Sequence, residues 1–143
     1  MLDQCSILVA DATYQMAEIK KSALRAAGVR SVRLAAGLVP SLEWLKRETF
    51  DFILLDENVT AEGFASFIAR IRDQSPGRNV HTPILVASSR LDEGLLRAAR
   101  GAGVALVLRK PFSGNDIRSK ITQLLGRQSH LMSSGNAGEA VLL

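Results

Sequence analysis

The chain predicts an α/β fold: a five-stranded parallel sheet of order 2-1-3-4-5 with helices on both faces. Three observations carry this. Short runs of Ile, Val and Leu recur five times, helix-spaced stretches follow each of them, and four of the runs end in a residue able to handle a phosphoryl group. Short runs of this composition suit strands buried on both faces. Regular alternation with helices implies a parallel sheet. Right-handed crossovers leave few topologies, and the order 2-1-3-4-5 places its switch point between strands 1 and 3.

The elements follow in order. Ile7-Leu8-Val9-Ala10 is the first strand and runs into Asp11. Met16, Ile19, Ala23 and Ala27 then share one helical face, and Gly28 stops that helix. Val32-Arg33-Leu34-Ala35 is the weakest strand, as suits an edge. Leu38, Leu42 and Leu45 mark the second helix, with Pro40 and Ser41 near its start. Residues 52–55 form the third strand and run into Asp56. Phe64, Phe67, Ile68 and Ile71 give the third helix, broken at Ser75-Pro76-Gly77. Residues 84–87 are the fourth strand, ending at Ser88; Leu91, Leu95 and Ala99 follow as the fourth helix, which ends near Gly101 and Gly103. Residues 104–108 are the fifth strand, leading into Arg109-Lys110-Pro111, and Ile117, Ile121 and Leu124 mark the last helix. Residues 1–126 therefore read as one domain. Residues 127–143 read as a flexible tail, with apolar Ala140-Val141-Leu142-Leu143 able to dock on the domain or on a partner.

Composition excludes several classes. At 143 residues and 47% hydrophobic, the chain is long and apolar enough for one full core. A single cysteine, Cys5, excludes an internal disulfide framework and fits a reducing compartment, so the expected location is the cytoplasm. Two histidines are too few for a zinc site. No stretch approaches the roughly 20 apolar residues of a membrane span, and no signal peptide opens the chain. The net charge of +4 comes from scattered bases without interleaved aromatics, so nucleic acid is not an expected partner.

Ligands of open parallel sheets bind beyond the carboxyl ends of the strands. Asp11, Asp56, Ser88 and Lys110 all fall there, and the order 2-1-3-4-5 puts Asp56 on the central strand. A carboxylate can carry a phosphoryl group as an acyl phosphate. A hard cation held by carboxylates shields the incoming charge, a lysine holds a phosphoryl oxygen, and a hydroxyl bonds another. Each residue also has a plain structural reading: Asp11 and Ser88 as helix caps, Asp56 as a turn residue, Lys110 as a solvated lysine. Their joint arrangement at strand ends favours the chemical reading, with Asp56 as the nucleophile.

On these segments the chain resembles a response-regulator receiver domain, the phosphoacceptor of two-component signalling. The resemblance spans residues 6–125. It rests on Ile7-Leu8-Val9-Ala10-Asp11, Asp51-Phe52-Ile53-Leu54-Leu55-Asp56, Pro83-Ile84-Leu85-Val86-Ala87-Ser88 and Lys110-Pro111-Phe112. It implies that Asp56 is the phosphoacceptor, Ser88 the switch hydroxyl and Lys110 the phosphate-contacting lysine, usually followed by a cis bond to proline. It further implies a Mg²⁺ site made of Asp11, Asp56 and the backbone carbonyl of Asn58.

Three departures stand against that pattern. Receiver domains usually carry two adjacent acids after strand 1, and here Asp11 is followed by Ala12, so Mg²⁺ should bind weakly. Glu57 and Glu62 are the candidates for a replacement acid, although strand alternation points Glu57 away from Asp56. The loop from Glu57 to Gly63 lacks the usual proline and is one residue short. Strand 5 has Val107 where an aromatic switch residue commonly stands, so any response should be confined to the loops after strands 3 and 4.

The expected function is that of a single-domain response regulator. It takes phosphate from a histidine kinase or a histidine phosphotransfer protein and signals by contact with a downstream protein, as a monomer or weak homodimer. Arg97, Arg100, Arg109, Arg118 and Lys120 suggest a basic output face for an acidic partner. The alternative is a pseudo-receiver that binds partners without phosphorylation. Ala12 and Val107 favour it; the retained Asp11, Asp56, Ser88 and Lys110 oppose it. A flavodoxin-like cofactor binder is disfavoured, because Asp11-Ala12-Thr13-Tyr14 is not a glycine-rich phosphate loop.

Overall fold

The apolar runs form the strands β1 (Ser6–Asp11), β2 (Ser31–Ala36), β3 (Phe52–Asp56), β4 (Ile84–Ser88) and β5 (Leu106–Arg109) of a computed structural model that describes residues 2–75, 77–127 and 140–143. The helices are α1 (Tyr14–Ala26), α2 (Leu38–Arg47), α3 (Phe64–Gln74), α4 (Glu93–Gly101) and α5 (Gly114–Arg127). The five strands pair in parallel in the order 2-1-3-4-5, as the alternation predicts. A sixth, β6 (Ala140–Leu142), lies antiparallel on the outer edge of β5. The sequence reading treats residues 127–143 as a flexible tail whose apolar end can dock; residues 140–142 do dock on the domain, as a strand that the reading does not foresee, and residues 128–139 lie outside the described residues.

Successive strand residues face opposite sides of the sheet, and both sides are buried. Ile7, Val9, Leu54, Leu85, Leu106 and Leu108 face a core shared with Leu24 of α1 and Ile117, Ile121 and Leu124 of α5. Leu8, Ile53, Leu55, Ile84, Val86 and Val107 face the opposite core, with Leu45 of α2, Phe67 and Ile71 of α3, and Leu95 and Ala99 of α4. Gly28 (φ 105°) and Gly103 (φ 81°) end α1 and α4 in the left-handed region that glycine tolerates best.

The face of α1 differs from the sequence reading by one residue. Met16 and Ile19 are exposed, at 41% and 65%, and the buried positions are Ala17, Lys20 and Leu24. The core stripe is thus Ala17, Lys20, Leu24 and Ala27. A lysine in its middle disguises it, and the neighbouring apolar residues imitate a stripe one step away.

At the amino-terminal end of the sheet a buried asparagine ties three segments together. Asn79 Oδ1 accepts from Phe50 N–H (3.0 Å) and Thr82 Oγ1 (3.1 Å). Its Nδ2 donates to the carbonyls of Leu45 and Glu48, both at 2.8 Å.

Candidate functional site

Strand parity decides which side chains meet. Asp11 continues the Ile7–Val9 face of β1, and Asp56 the Phe52–Leu54 face of β3. Both therefore turn toward α1, at the carboxyl edge of adjacent strands in register at Ala10 and Leu55. Lys110, one residue beyond β5, has the parity of Leu106 and Leu108 and reaches the same side. Ser88 has the parity of Ile84 and Val86, on the opposite side with Glu57.

Asp11 and Asp56 are almost wholly buried, at 2% and 3% exposure. Neither Asp11 nor Ser88 caps a helix: Thr13 caps α1 and Asp92 caps α4. Asp11 Oδ1 accepts from Ala12 N–H (2.7 Å) and Asp56 Oδ2 from Asn58 N–H (2.8 Å). The remaining oxygens face two ammonium groups. Lys110 Nζ lies 2.7 Å from Asp56 Oδ1. Lys20 Nζ, from the buried face of α1, lies 2.6 Å from Asp11 Oδ2 and 3.0 Å from Asp56 Oδ1. Burial pushes the Asp56 carboxyl upward, but hydrogen bonds from Lys110, Asn58 N–H and Lys20, with the charge of Lys20, outweigh it. The carboxyl is held below its ordinary value of 3.8.

The sequence reading missed Lys20. The available signal was helical spacing: position 20 falls between Ala17 and Leu24 on the only face of α1 that can meet the sheet. A buried lysine needs a paired anion, and Asp11 lies at the end of the preceding strand.

Ser88 ends β4 at the same edge, yet its hydroxyl is engaged elsewhere. Ser88 Oγ donates to Glu57 Oε1 (2.6 Å) and accepts from Arg90 N–H (3.1 Å). Glu57 Oε2 pairs with Arg90 Nε (2.9 Å), and Arg90 also meets Asp92 (2.7 Å). Glu57 is thus a clamp on Ser88, and Glu62 is exposed on the loop. Among the described residues no third acid joins Asp11 and Asp56 in a metal-binding group. The gap between the two carboxylates, where the sequence reading expects Mg²⁺ with the Asn58 carbonyl, is bridged by Lys20 Nζ. A hard divalent cation takes several oxygen ligands at short range, and the present donor set with an ammonium at its centre does not fit one.

The Lys110–Pro111 bond is cis. Val107 is fully buried and paired with Val141 of β6. Of the basic residues read as one output face, Arg97, Arg100 and Arg109 are exposed. Arg118 is exposed too but donates to the Ala27 carbonyl at the end of α1 (3.1 Å), and Lys120 is buried. Beside the carboxylates, Met16, Ile19, Ala23, Pro111 and Phe112 line a largely apolar groove, with Lys20 and Lys110 at its inner wall. Among the described residues, no helix is long and apolar enough to cross a membrane.

Comparison with known proteins agrees with this architecture. Residues 7–122 match the response regulator receiver domain family. Chemotaxis protein CheY-3 of Vibrio cholerae is 26% identical over 121 residues, which are 85% of this chain and 92% of that protein. Sensor histidine kinase AruS of Pseudomonas aeruginosa is 30% identical over 107 residues, 75% of this chain and 11% of the kinase. The structure of chemotaxis response regulator CheY4 of Vibrio cholerae superposes with a TM-score of 0.71 at 22% identity, covering 84% of this chain and 98% of that one.

Proposed function

The chain belongs to the response regulator receiver domain family of two-component signalling, and from that premise we propose that Asp56 accepts a phosphoryl group from a histidine kinase or a histidine phosphotransfer protein. The observation that carries this reading is the buried Asp56 carboxylate at the centre of the sheet edge, held by Lys110 at 2.7 Å. In the transfer, an Asp56 oxygen forms a P–O bond as the P–N bond to the donor imidazole breaks. The imidazole leaves with the bonding electrons and takes up a proton. Asn58 N–H fixes the carboxylate through Oδ2. The ammonium of Lys110 offsets charge on the phosphoryl oxygens, as preorganised cations do. Ser88 supplies a hydroxyl donor once it leaves Glu57.

A protein donor must also seat itself beside the carboxylate. The exposed Tyr14, Met16 and Ile19 give α1 an apolar surface next to the groove, suited to such contact. Signalling then passes by protein contact to a downstream target.

Incubation with acetyl phosphate and with an autophosphorylated histidine kinase, followed by intact-mass measurement, tests the reading. One phosphoryl adduct on the parent and none on Asp56→Asn supports it. Ile19→Asp should slow transfer from the kinase at least tenfold and leave labelling by acetyl phosphate unchanged. No adduct from any donor replaces the reading with a phosphorylation-independent interaction module.

A further inference from the structure

Receiver domains generally bind Mg²⁺ at the acidic phosphorylation site. We propose that in this chain Lys20 is a built-in cation that takes the place of the divalent ion, so that Asp56 is phosphorylated without metal. The proposal rests on the reading of Asp56 as the phosphoacceptor. Three observations carry it.

The first is position. Lys20 Nζ bridges the two carboxylates that would hold a metal, at 2.6 Å from Asp11 and 3.0 Å from Asp56. The second is confinement. The Lys20 side chain is only 4% exposed, fixed on the core face of α1 between Ala17 and Leu24, and its long apolar stem packs where a leucine would. Expelling it to admit an ion would empty its place in the core stripe and remake the packed face of the helix. The third is charge balance. Ala12 removes one negative charge from the acid pair usual after strand 1, and Lys20 adds one positive charge. Together these changes supply what the two charges of a divalent ion would. The two carboxylates face two ammoniums, and the site is neutral before phosphate arrives.

An ammonium also offers three donors and no fixed ligand number. It can keep its bond to Asp11 while turning another N–H toward a phosphoryl oxygen on Asp56. The step needs no co-reactant beyond the donor. With acetyl phosphate, an Asp56 oxygen bonds to phosphorus as the P–O bond to acetate breaks, and acetate leaves with the electron pair.

Two measurements on the parent protein test the proposal, and neither depends on a variant that folds. Mn²⁺ titration followed by amide line broadening should leave Ala12 and Asn58 unaffected at millimolar metal. Labelling of Asp56 by acetyl phosphate should proceed at rates within twofold in EDTA and in Mg²⁺. Site-specific broadening at submillimolar Mn²⁺, or labelling that requires Mg²⁺, would overturn the proposal. Lys20→Met combined with Ala12→Asp should reverse both results, gaining Mn²⁺ broadening and losing at least tenfold of the labelling rate in EDTA. If metal is excluded but no donor labels Asp56, the phosphoacceptor reading fails and, with it, the catalytic part of this proposal; metal exclusion by Lys20 stands.

Discussion

Releasing Ser88 from Glu57 should make Asp56 a faster phosphoacceptor. The Ser88 hydroxyl is wholly buried, and its 2.6 Å bond goes to a carboxylate. Hydrogen bonds to charged acceptors are worth about 1.5–3 kcal/mol, against about 1 kcal/mol for neutral ones. On the proposed reading Ser88 gives up this bond before it donates to a phosphoryl oxygen, so the bond would add to the barrier. Glu57→Gln keeps the shape and an acceptor oxygen but lowers the cost by about 1.4 kcal/mol, which corresponds to about tenfold in rate. The assay is an intact-mass time course with acetyl phosphate on the parent, Glu57→Gln, Ser88→Ala and the double variant. Removing a negative charge near the site also draws the anionic donor closer, and the cycle separates that effect. If the hydroxyl carries the gain, Glu57→Gln accelerates only where Ser88 is present. The same acceleration in the Ser88→Ala background would refute the clamp and assign the effect to charge alone.

Asn79→Ala should lower stability by about 3 kcal/mol, and the melting temperature by about 10 °C, because it strands the buried Phe50 N–H and the Leu45 and Glu48 carbonyls; urea and thermal denaturation measure it. The Asp56 carboxyl is held below its ordinary value of 3.8, so the stability it contributes is fully present above that value and lost as pH falls through the lower folded value. Urea titrations from about pH 5 down to about pH 2 should therefore show a shallower acid limb for Asp56→Asn than for the parent. Because Val107 is buried in the core against α3 and α4 and its strand is paired with β6, phosphorylation should leave amide exchange across α4 and β5 unchanged while altering it in the loops after β3 and β4; a broad change across α4 and β5 would show a repacking that valine does not predict.

The strands, their order and the edge at which the site lies were legible because apolar runs and their terminal residues survive as local patterns. Asp11, Asp56 and Lys110 meet as the parity of their strands dictates. The same parity places Ser88 with Glu57, a consequence that follows from counting residues and that a list of strand ends alone does not reveal. Lys20 was hidden for a different reason. Hydrophobic periodicity treats lysine as a surface residue, and the pattern of α1 shifts by one position to exclude it. Its burial is stable only because Asp11 of the preceding strand and Asp56 of the more distant β3 pair with it, and the second of these lies in tertiary structure. The groups of Asn79 likewise find their partners some 30 residues away. β6 was missed because three residues are too short a run to distinguish a strand from an apolar chain end.

That short strand decides how other chains can approach the sheet. Its residues pair with Leu106, Val107 and Leu108, and Leu143 N–H donates to the Ala105 carbonyl, so the outer backbone row of β5 is already engaged. A visiting peptide cannot lengthen the sheet at β5 without first displacing β6. At the opposite border, β2 carries Arg33, which pairs with Glu48 at 3.0 Å and covers the Trp44 ring at 4.9 Å. A charged side chain of this kind discourages backbone docking along a border strand. Strand addition at the β5 border is left with the three-residue outer edge of β6, so the larger recognition surfaces are those of the helices, where specificity is written in shape and charge rather than in a shared ladder of amides.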